Sequence, residues 1–365
     1  MPPLAFISTQ SRVLVGNLMG DYLRELLRQG KPESYYLLAD EQVWHLSQEL
    51  IAKNYPELTE LPRYLINDPE EAKSLEGIAE MARWLLEQGA TRGATLIALG
   101  GGAVSDAVGF LAQIYMRGVS LVLLPTTLLA MADAAVGGKC GVNFAGVKNL
   151  LGAFADEAAT LTLCDTAWLE SLPEEELRSG CGELIKYGLL VSPGLWRRLL
   201  QVLPEQPLSL EQLTPLIREA VQFKLNIVAQ DRLDQGLRHQ LNLGHTFGHS
   251  FEAWSHQHGD TPLLHGEAVA LGLVPELYLS HVKLGFPKKV LHQLLSVVQE
   301  LYRPLSITCR DYDALRELML HDKKNSDAQQ LITTVALSEI GQVHELQNEP
   351  LDITEALDYY QDTML

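Results

Sequence analysis

The chain has 365 residues, 47% hydrophobic and 20% charged, which exceeds one ordinary core and suits two globular domains. Its net charge of −18 repels phosphate polymers, so nucleic acid is not an expected partner. No charge-free apolar run reaches bilayer length, so no membrane partner is expected either.

The opening "MPPLAFISTQSRVLVG" lacks a basic start followed by a long apolar run, and no secretory leader is expected. "SYYLLAD" reads as a strand, and "EEAKSLEGIAEMARWLLEQGA" as one amphipathic helix. "ATLIALG" is a buried strand, "SDAVGFLAQIYMRG" a helix and "VSLVLLPTT" another buried strand. Such alternation predicts a parallel sheet covered by helices. After "LTLCDTAWLESLPEEELRSG" the pattern changes, and residues 174–300 are dominated by helical periodicity. "LPEQPLSLEQLTP" separates two helices. The expected architecture is a Rossmann-like α/β domain over 1–165 and an all-α domain over 166–365, with a ligand cleft between them. Cys140, Cys164, Cys181 and Cys309 follow no pairing or zinc-knuckle spacing, so a cytoplasmic setting is expected.

"LIALGGGAVSDAVGF" runs strand, glycine turn, helix. Gly100 and Gly102 match the first two glycines of a dinucleotide fingerprint, and Ser105 stands at the third. Such a turn lets a pyrophosphate approach the backbone at a helix N-terminus. Asp40 ends "YYLLAD" and has the chemistry to hold a ribose hydroxyl, but it precedes the glycine turn, unlike the usual order.

"LNLGHTFGHSFE" places His245 and His249 four residues apart, each preceded by a glycine. On a helix they share one face. His265 follows in "LLHGEAVALG", and Glu183 lies in "CGELIKYG". Imidazoles with a carboxylate suit zinc. Spacing alone proposes His245 and His249 as the first ligand pair, with the glycines admitting something bulky. In so acidic a chain the basic residues inside these unusual segments carry information: Arg117, Lys139, Lys148, Lys186, Lys224, Arg238, Lys323 and Lys324.

Over residues 95–330 the ordered motifs "GGGAVSDAVGF", "YMRG", "LPTTLLAMADAAVGGK", "GVKNLLGAF", "LPEEELRSGCGELIKYG", "DRLDQGLRHQLNLGHTFGHSFE", "HGEAVALG" and "DKKN" resemble the 3-dehydroquinate synthases. The resemblance implies an NAD- and zinc-dependent homodimeric enzyme, with cobalt as an alternative metal. It implies an acidic sugar phosphate as substrate, 3-deoxy-D-arabino-heptulosonate 7-phosphate. The implied steps are transient oxidation, phosphate elimination, re-reduction and an intramolecular aldol reaction.

The resemblance replaces the spacing-based ligand pair with Glu183, His245 and His265, and turns His249 toward the substrate. It implies substrate contacts from Lys139, Asn149, Lys224, Arg238, Asn242 and one of Lys323 or Lys324, with Arg117 reaching the phosphate across a dimer interface. Asp133 and Lys186 would stand near the substrate hydroxyls and the metal. Cofactor contacts would come from Asp40, Glu70, Lys73, Gly101, Gly102, Asp106, Thr126, Thr127 and Lys148. Three departures stand out: Cys140 replaces a usual threonine, Pro69 a glycine, and Gly182 a common alanine. The competing readings are another sugar-phosphate cyclase using a neutral substrate, a metal-dependent alcohol dehydrogenase of the glycerol-dehydrogenase type, and a non-catalytic phosphosugar-binding protein.

Overall fold

The computed structural model describes residues 4–7, 12–30, 34–156, 158–205, 207–258, 261–320 and 331–365. Lys323 and Lys324 lie outside the described residues. Contacts divide the chain into two units, Met1–Leu177 with Lys224–Ala229, and Arg178–Phe223 with Gln230–Leu365. This differs from a division at 165/166, because the stretch after residue 165 is anchored in the first unit. Trp168 is buried and stacks on Tyr55 at 4.9 Å between ring centroids. The buried Asp165 carboxylate accepts from the N–H groups of Leu18, Met19 and Ala167.

The strands of the first unit are β1 (Leu4–Ile7), β2 (Arg12–Gly16), β3 (Tyr35–Asp40), β4 (Arg63–Ile66), β5 (Thr95–Gly100), β6 (Ser120–Pro125), β7 (Lys139–Phe144), β8 (Val147–Phe154) and β9 (Thr160–Asp165). Seven form one sheet in the order β1-β2-β9-β6-β5-β3-β4, parallel except for the β1–β2 pair. The runs "YYLLAD", "TLIALG" and "SLVLLP" are buried almost throughout, as strands covered on both faces require.

Its helices are α1 (Gly20–Gln29), α2 (Glu41–Leu46), α3 (Gln48–Asn54), α4 (Pro69–Ala72), α5 (Leu75–Glu87) and α6 (Gly102–Ile114). The single helix expected over "EEAKSLEGIAEMARWLLEQGA" is two. The chain leaves the helix at Lys73, and the Ser74 side chain then caps α5 by accepting from Gly77 N–H. β7 and β8 form an antiparallel hairpin that the sequence did not announce. Its turn passes through Ala145 and Gly146 at φ 51° and 79°, a conformation usually supplied by Asn-Gly or Asp-Gly.

The second unit holds α7 (Glu174–Val191), whose first turns precede the division, then α8 (Pro193–Val202), α9 (Leu210–Gln230), of which Lys224–Ala229 belong to the first unit, α10 (His245–His258), α11 (His265–Leu284), α12 (Lys288–Leu301), α13 (Tyr312–Leu320) and α14 (Pro350–Met364). It is helical as expected, but not all-α. β10 (Ile332–Glu339) and β11 (Gln342–Asn348) pair as an antiparallel hairpin turning at Gly341, φ 83°. The β-branched residues of "ITTVALSE" account for that local preference.

Candidate functional site: a cofactor edge and a histidine–carboxylate cluster

β3, β5 and β6 are neighbours, and their registers align Ala39 with Leu99 and Gly100 with Pro125. Asp40 therefore stands beside the glycine turn at the carboxyl edge of the sheet, although it precedes the turn in sequence. A Cβ on Gly100 would lie 3.2 Å from the Asp40 Cβ. Asp40 Oδ1 also accepts from Val43 N–H, capping α2. Gly101 is the N-cap of α6, and Gly102 its first residue. Side chains there would press on Thr127 and Ala134, each at 3.2 Å. Thr126 is buried, and among the described residues its hydroxyl has no hydrogen-bond partner. A bare helix N-terminus, a carboxylate on the next strand and an unsatisfied hydroxyl fit a dinucleotide.

A polar network adjoins this edge. Lys73 Nζ pairs with Asp106 at 2.6 Å, both largely buried. Burial pushes the Asp106 carboxyl up, and Lys73 opposes it. Glu70 accepts from the Asn143 amide at 2.6 Å, and Asn143 Oδ1 accepts from Asn149 N–H at 3.0 Å. Pro69, the departure from the glycine pattern, opens α4 at a position where proline suits a helix start. Lys139, Lys148 and Asn149 lie exposed on the β7–β8 hairpin. Buried Lys224 donates to the Asp133 carbonyl at 2.7 Å and pairs with its carboxylate at 2.9 Å. Arg117 is exposed in the turn after α6, where Met116 and Arg117 have φ 51° and 67°.

In the second unit, three helices bring the metal candidates together. Glu183 on α7 is fully buried. Its Oε1 lies 3.5 Å from His245 Nε2 and 3.7 Å from His265 Nε2. The Lys186 ammonium is ion-paired with Oε2 and sits 4.6 Å from the Tyr187 ring centroid. Ring nitrogens of His245, His249 and His265 all lie within 4.8 Å of one another. His245 is buried, His265 intermediate and His249 exposed.

The opposite ring edges are tied down. His245 Nδ1 donates to the Leu243 carbonyl at 3.1 Å, and His265 Nδ1 meets Glu252 at 2.9 Å. Burial disfavours a charged His265, but the carboxylates of Glu183 and Glu252 outweigh it and raise its pKa to about 9. A fully buried carboxylate facing two oriented imidazoles fits a divalent ion such as zinc. Glu252 was visible inside "GHTFGHSFE", but nothing in its spacing announced that it holds His265.

The flanking glycines have a different purpose from the one expected. Each stands where another helix comes close. A Cβ on Gly182 would lie 1.9 Å from the Gly266 carbonyl oxygen, and one on Gly266 would lie 1.8 Å from that of Ser179. A Cβ on Gly248 would lie 3.0 Å from the Ala268 oxygen, and one on Gly244 would meet Leu273 and Val269. The glycines admit helix backbones, and so draw Glu183, His245, His249 and His265 together. The departure from alanine at Gly182 has the same cause.

Arg238 is 3% exposed and donates to the Arg232 carbonyl at 3.0 Å. Asp231 shapes its loop by accepting from the N–H groups of Gln235, Gly236 and Arg238, each at 2.9 Å. Those bonds hold the Asp231 carboxyl down at about 2. Asn242 donates to the His239 carbonyl at 3.0 Å.

Among the described residues, no helix is long and apolar enough to cross a membrane. The family models for the 3-dehydroquinate synthase N-terminal and C-terminal regions match residues 63–179 and 180–325. A 3-dehydroquinate synthase from Parabacteroides distasonis is 35% identical over 97% of this chain and 99% of its own. The solved 2-epi-5-epi-valiolone synthase from Streptomyces hygroscopicus, with NAD+ and Zn2+ bound, superposes with a TM-score of 0.82 at 27% identity, covering 98% of this chain and 99% of that one. A 2-deoxy-scyllo-inosose synthase, solved with carbaglucose-6-phosphate, NAD+ and Co2+, shares the fold with a TM-score of 0.77 at 19% identity, covering 99% of both chains. The chain belongs to the 3-dehydroquinate synthase family.

Proposed function

We propose that this enzyme converts 3-deoxy-D-arabino-heptulosonate 7-phosphate to 3-dehydroquinate and phosphate, a step toward aromatic compounds in the shikimate pathway. The observation that carries the reading is the convergence of Glu183, His245 and His265 on glycine-joined helices, in a chain matched by both family models. Glu183, His245 and His265 would hold a divalent metal. Asp40, Gly101, Gly102, Asp106, Thr126, Thr127 and Lys148 would hold NAD, with Glu70 and Lys73 fixing Asp106 and the hairpin. The bound groups supply polarisation of a substrate hydroxyl and a hydride taken up and later returned.

The protein's own groups recognise charge. Lys139, Lys224, Arg238 and one of Lys323 or Lys324 would pair with the substrate's carboxylate and phosphate, with Asn149 and Asn242 donating beside them. The guanidinium fork suits a planar anion better than an ammonium does. His249, exposed beside the ligand imidazoles, would face the substrate. Lys186 would hold the Glu183 carboxylate charged, and Asp133 would orient Lys224. The reading includes a cytoplasmic homodimer in which the exposed Arg117 reaches the neighbouring copy's substrate phosphate; sedimentation checks the assembly.

The test mixes protein, NAD, zinc and the heptulosonate phosphate, and measures inorganic phosphate and carbocyclic product. Phosphate and 3-dehydroquinate with no net NADH support the reading. Turnover of a neutral sugar phosphate instead would assign another cyclase. Steady NADH release would assign a dehydrogenase, and binding without phosphate release a non-catalytic protein.

A further inference from the structure

The peptide between Leu243 and Gly244 carries two hydrogen bonds in opposite directions. Its N–H donates to Oε2 of Glu276 at 2.7 Å. Its carbonyl accepts from Nδ1 of His245 at 3.1 Å. A trans peptide sets N–H and C=O on opposite sides, so carboxylate, amide and imidazole stand in series. The other carboxylate oxygen, Oε1, accepts from Thr246 N–H at 3.0 Å. Glu276 is fully buried on α11, the helix that begins with His265. It thus grips the backbone on both sides of His245, where N–H groups at the start of α10 lack intrahelical acceptors.

We infer that Glu276 is a positioning residue for the metal centre, acting on His245 through the Leu243–Gly244 peptide. The inference rests on the proposed ligand set of Glu183, His245 and His265. A carboxylate drawing on the amide N–H makes the carbonyl of that amide a stronger acceptor. The proton is thereby kept on Nδ1, and the Nε2 lone pair is left toward Glu183, 3.5 Å away. His265 receives the same orientation directly, from Glu252 at Nδ1. The two imidazoles are therefore each oriented by a carboxylate, one in contact and one through an amide.

The relay cannot swing aside. Gly244 has φ 81°, and its carbonyl oxygen is so close to α11 that a Cβ on Gly272 would lie 2.3 Å from it.

The experiment compares wild type, Glu276→Gln, His245→Ala and Leu213→Ala, the last a fully buried position on α9 chosen to lower the melting temperature without touching the relay. Imidazole 15N shifts of the metal-free protein report the His245 tautomer. Competition with a chelator reports zinc affinity, and the visible spectrum of the Co2+-loaded protein reports ligand geometry. In wild type, His245 carries its proton on Nδ1. In Glu276→Gln that preference is lost, the Co2+ bands shift, and zinc affinity falls about tenfold, the lower end for outer-shell partners of a metal-bound histidine.

Leu213→Ala leaves tautomer, spectrum and affinity unchanged at a comparable loss of melting temperature; an equal loss of affinity there would reduce Glu276 to a structural role and overturn the inference. Wild-type tautomer and affinity in folded Glu276→Gln would overturn it as well. Full zinc affinity in His245→Ala would instead overturn the ligand set, and the tautomer would still decide whether Glu276 governs His245. If Glu276→Gln does not fold, Glu276→Asp, which draws the charge back by one methylene, is read in the same way.

Discussion

Gly182 of α7 and Gly266 of α11 touch backbone to backbone, and each is the immediate neighbour of a metal candidate, Glu183 and His265. A methyl group on Gly182 would stand 1.9 Å from the Gly266 carbonyl oxygen. Gly182→Ala should therefore cost at least about 1–3 kcal/mol, the usual penalty for overpacking. Zinc affinity should fall with it, because the helices must separate at the ligands. Thermal melting with and without zinc checks this; a variant with normal melting and normal zinc content would show that the contact does not set the ligand spacing.

The ligand assignment makes a second, asymmetric prediction. Glu183→Gln and His265→Ala should lose bound zinc and nearly all turnover, since each alters one of the three proposed protein ligands. His249→Ala should keep zinc and lose activity. Metal content after dialysis, set beside turnover, decides. Zinc lost from His249→Ala but kept by His265→Ala would restore the pair that helical spacing alone suggests.

Lys73 and Asp106 form a largely buried pair. Lys73→Met strands the carboxylate, and stability should fall by about 3–5 kcal/mol. Burial already raises the Asp106 carboxyl, and without Lys73 it rises further. A carboxyl raised in the folded state favours folding at low pH and loses that advantage as pH rises through its folded pKa. The deficit of Lys73→Met should therefore shrink as the solution is acidified, and Lys73→Met/Asp106→Asn should recover much of it. Denaturant melts at several pH values test both points. A pH-independent deficit would show that lost packing, not the stranded charge, is responsible.

Asp231 and Arg238 separate shape from charge. Arg238→Lys keeps the charge but loses the fork, so the specificity constant should drop roughly tenfold to a hundredfold, for about 1–3 kcal/mol of charge-assisted hydrogen bonding, while NAD affinity holds. Asp231, held at about 2 against the ordinary 3.8, adds stability that is complete above pH 4 and lost as pH falls through about 2. The melting-temperature advantage of wild type over Asp231→Asn should be flat above pH 4 and close toward pH 2. A gap that persists at pH 2 would show that the carboxylate charge does not organise the loop.

What could be read from the sequence was what is local. "LIALGGGAVSDAVGF" specifies a strand, a turn and a helix within fifteen residues, and the fold places them so. Asp40 beside that turn depends on β3 and β5 pairing across a crossover, which no neighbouring residue encodes. The glycines beside Glu183, His245, His249 and His265 were plain to see, yet a missing side chain does not say what fills its space. The roles of Glu252 and Glu276 were hidden for a related reason. Each acts across a helix junction, and helical periodicity records only which face is buried. The β7–β8 hairpin went unread because its turn uses Ala145 at positive φ, where sequence offers no warning.

The helix junction also bears on which ion the enzyme carries. Where backbones meet at Gly182, Gly248 and Gly266 there are no side chains to repack, so the span between the donors is set by main-chain contact. Adjustment of the cage to the size of an ion would then fall to the Glu and His side chains rather than to helix movement. Imidazole and carboxylate donors suit several first-row divalent metals, so the cage gives little means of choosing among ions of similar size. If Glu183, His245 and His265 are the ligands, zinc and cobalt should both be held there, and a metal-competition titration measures how far the protein tells them apart.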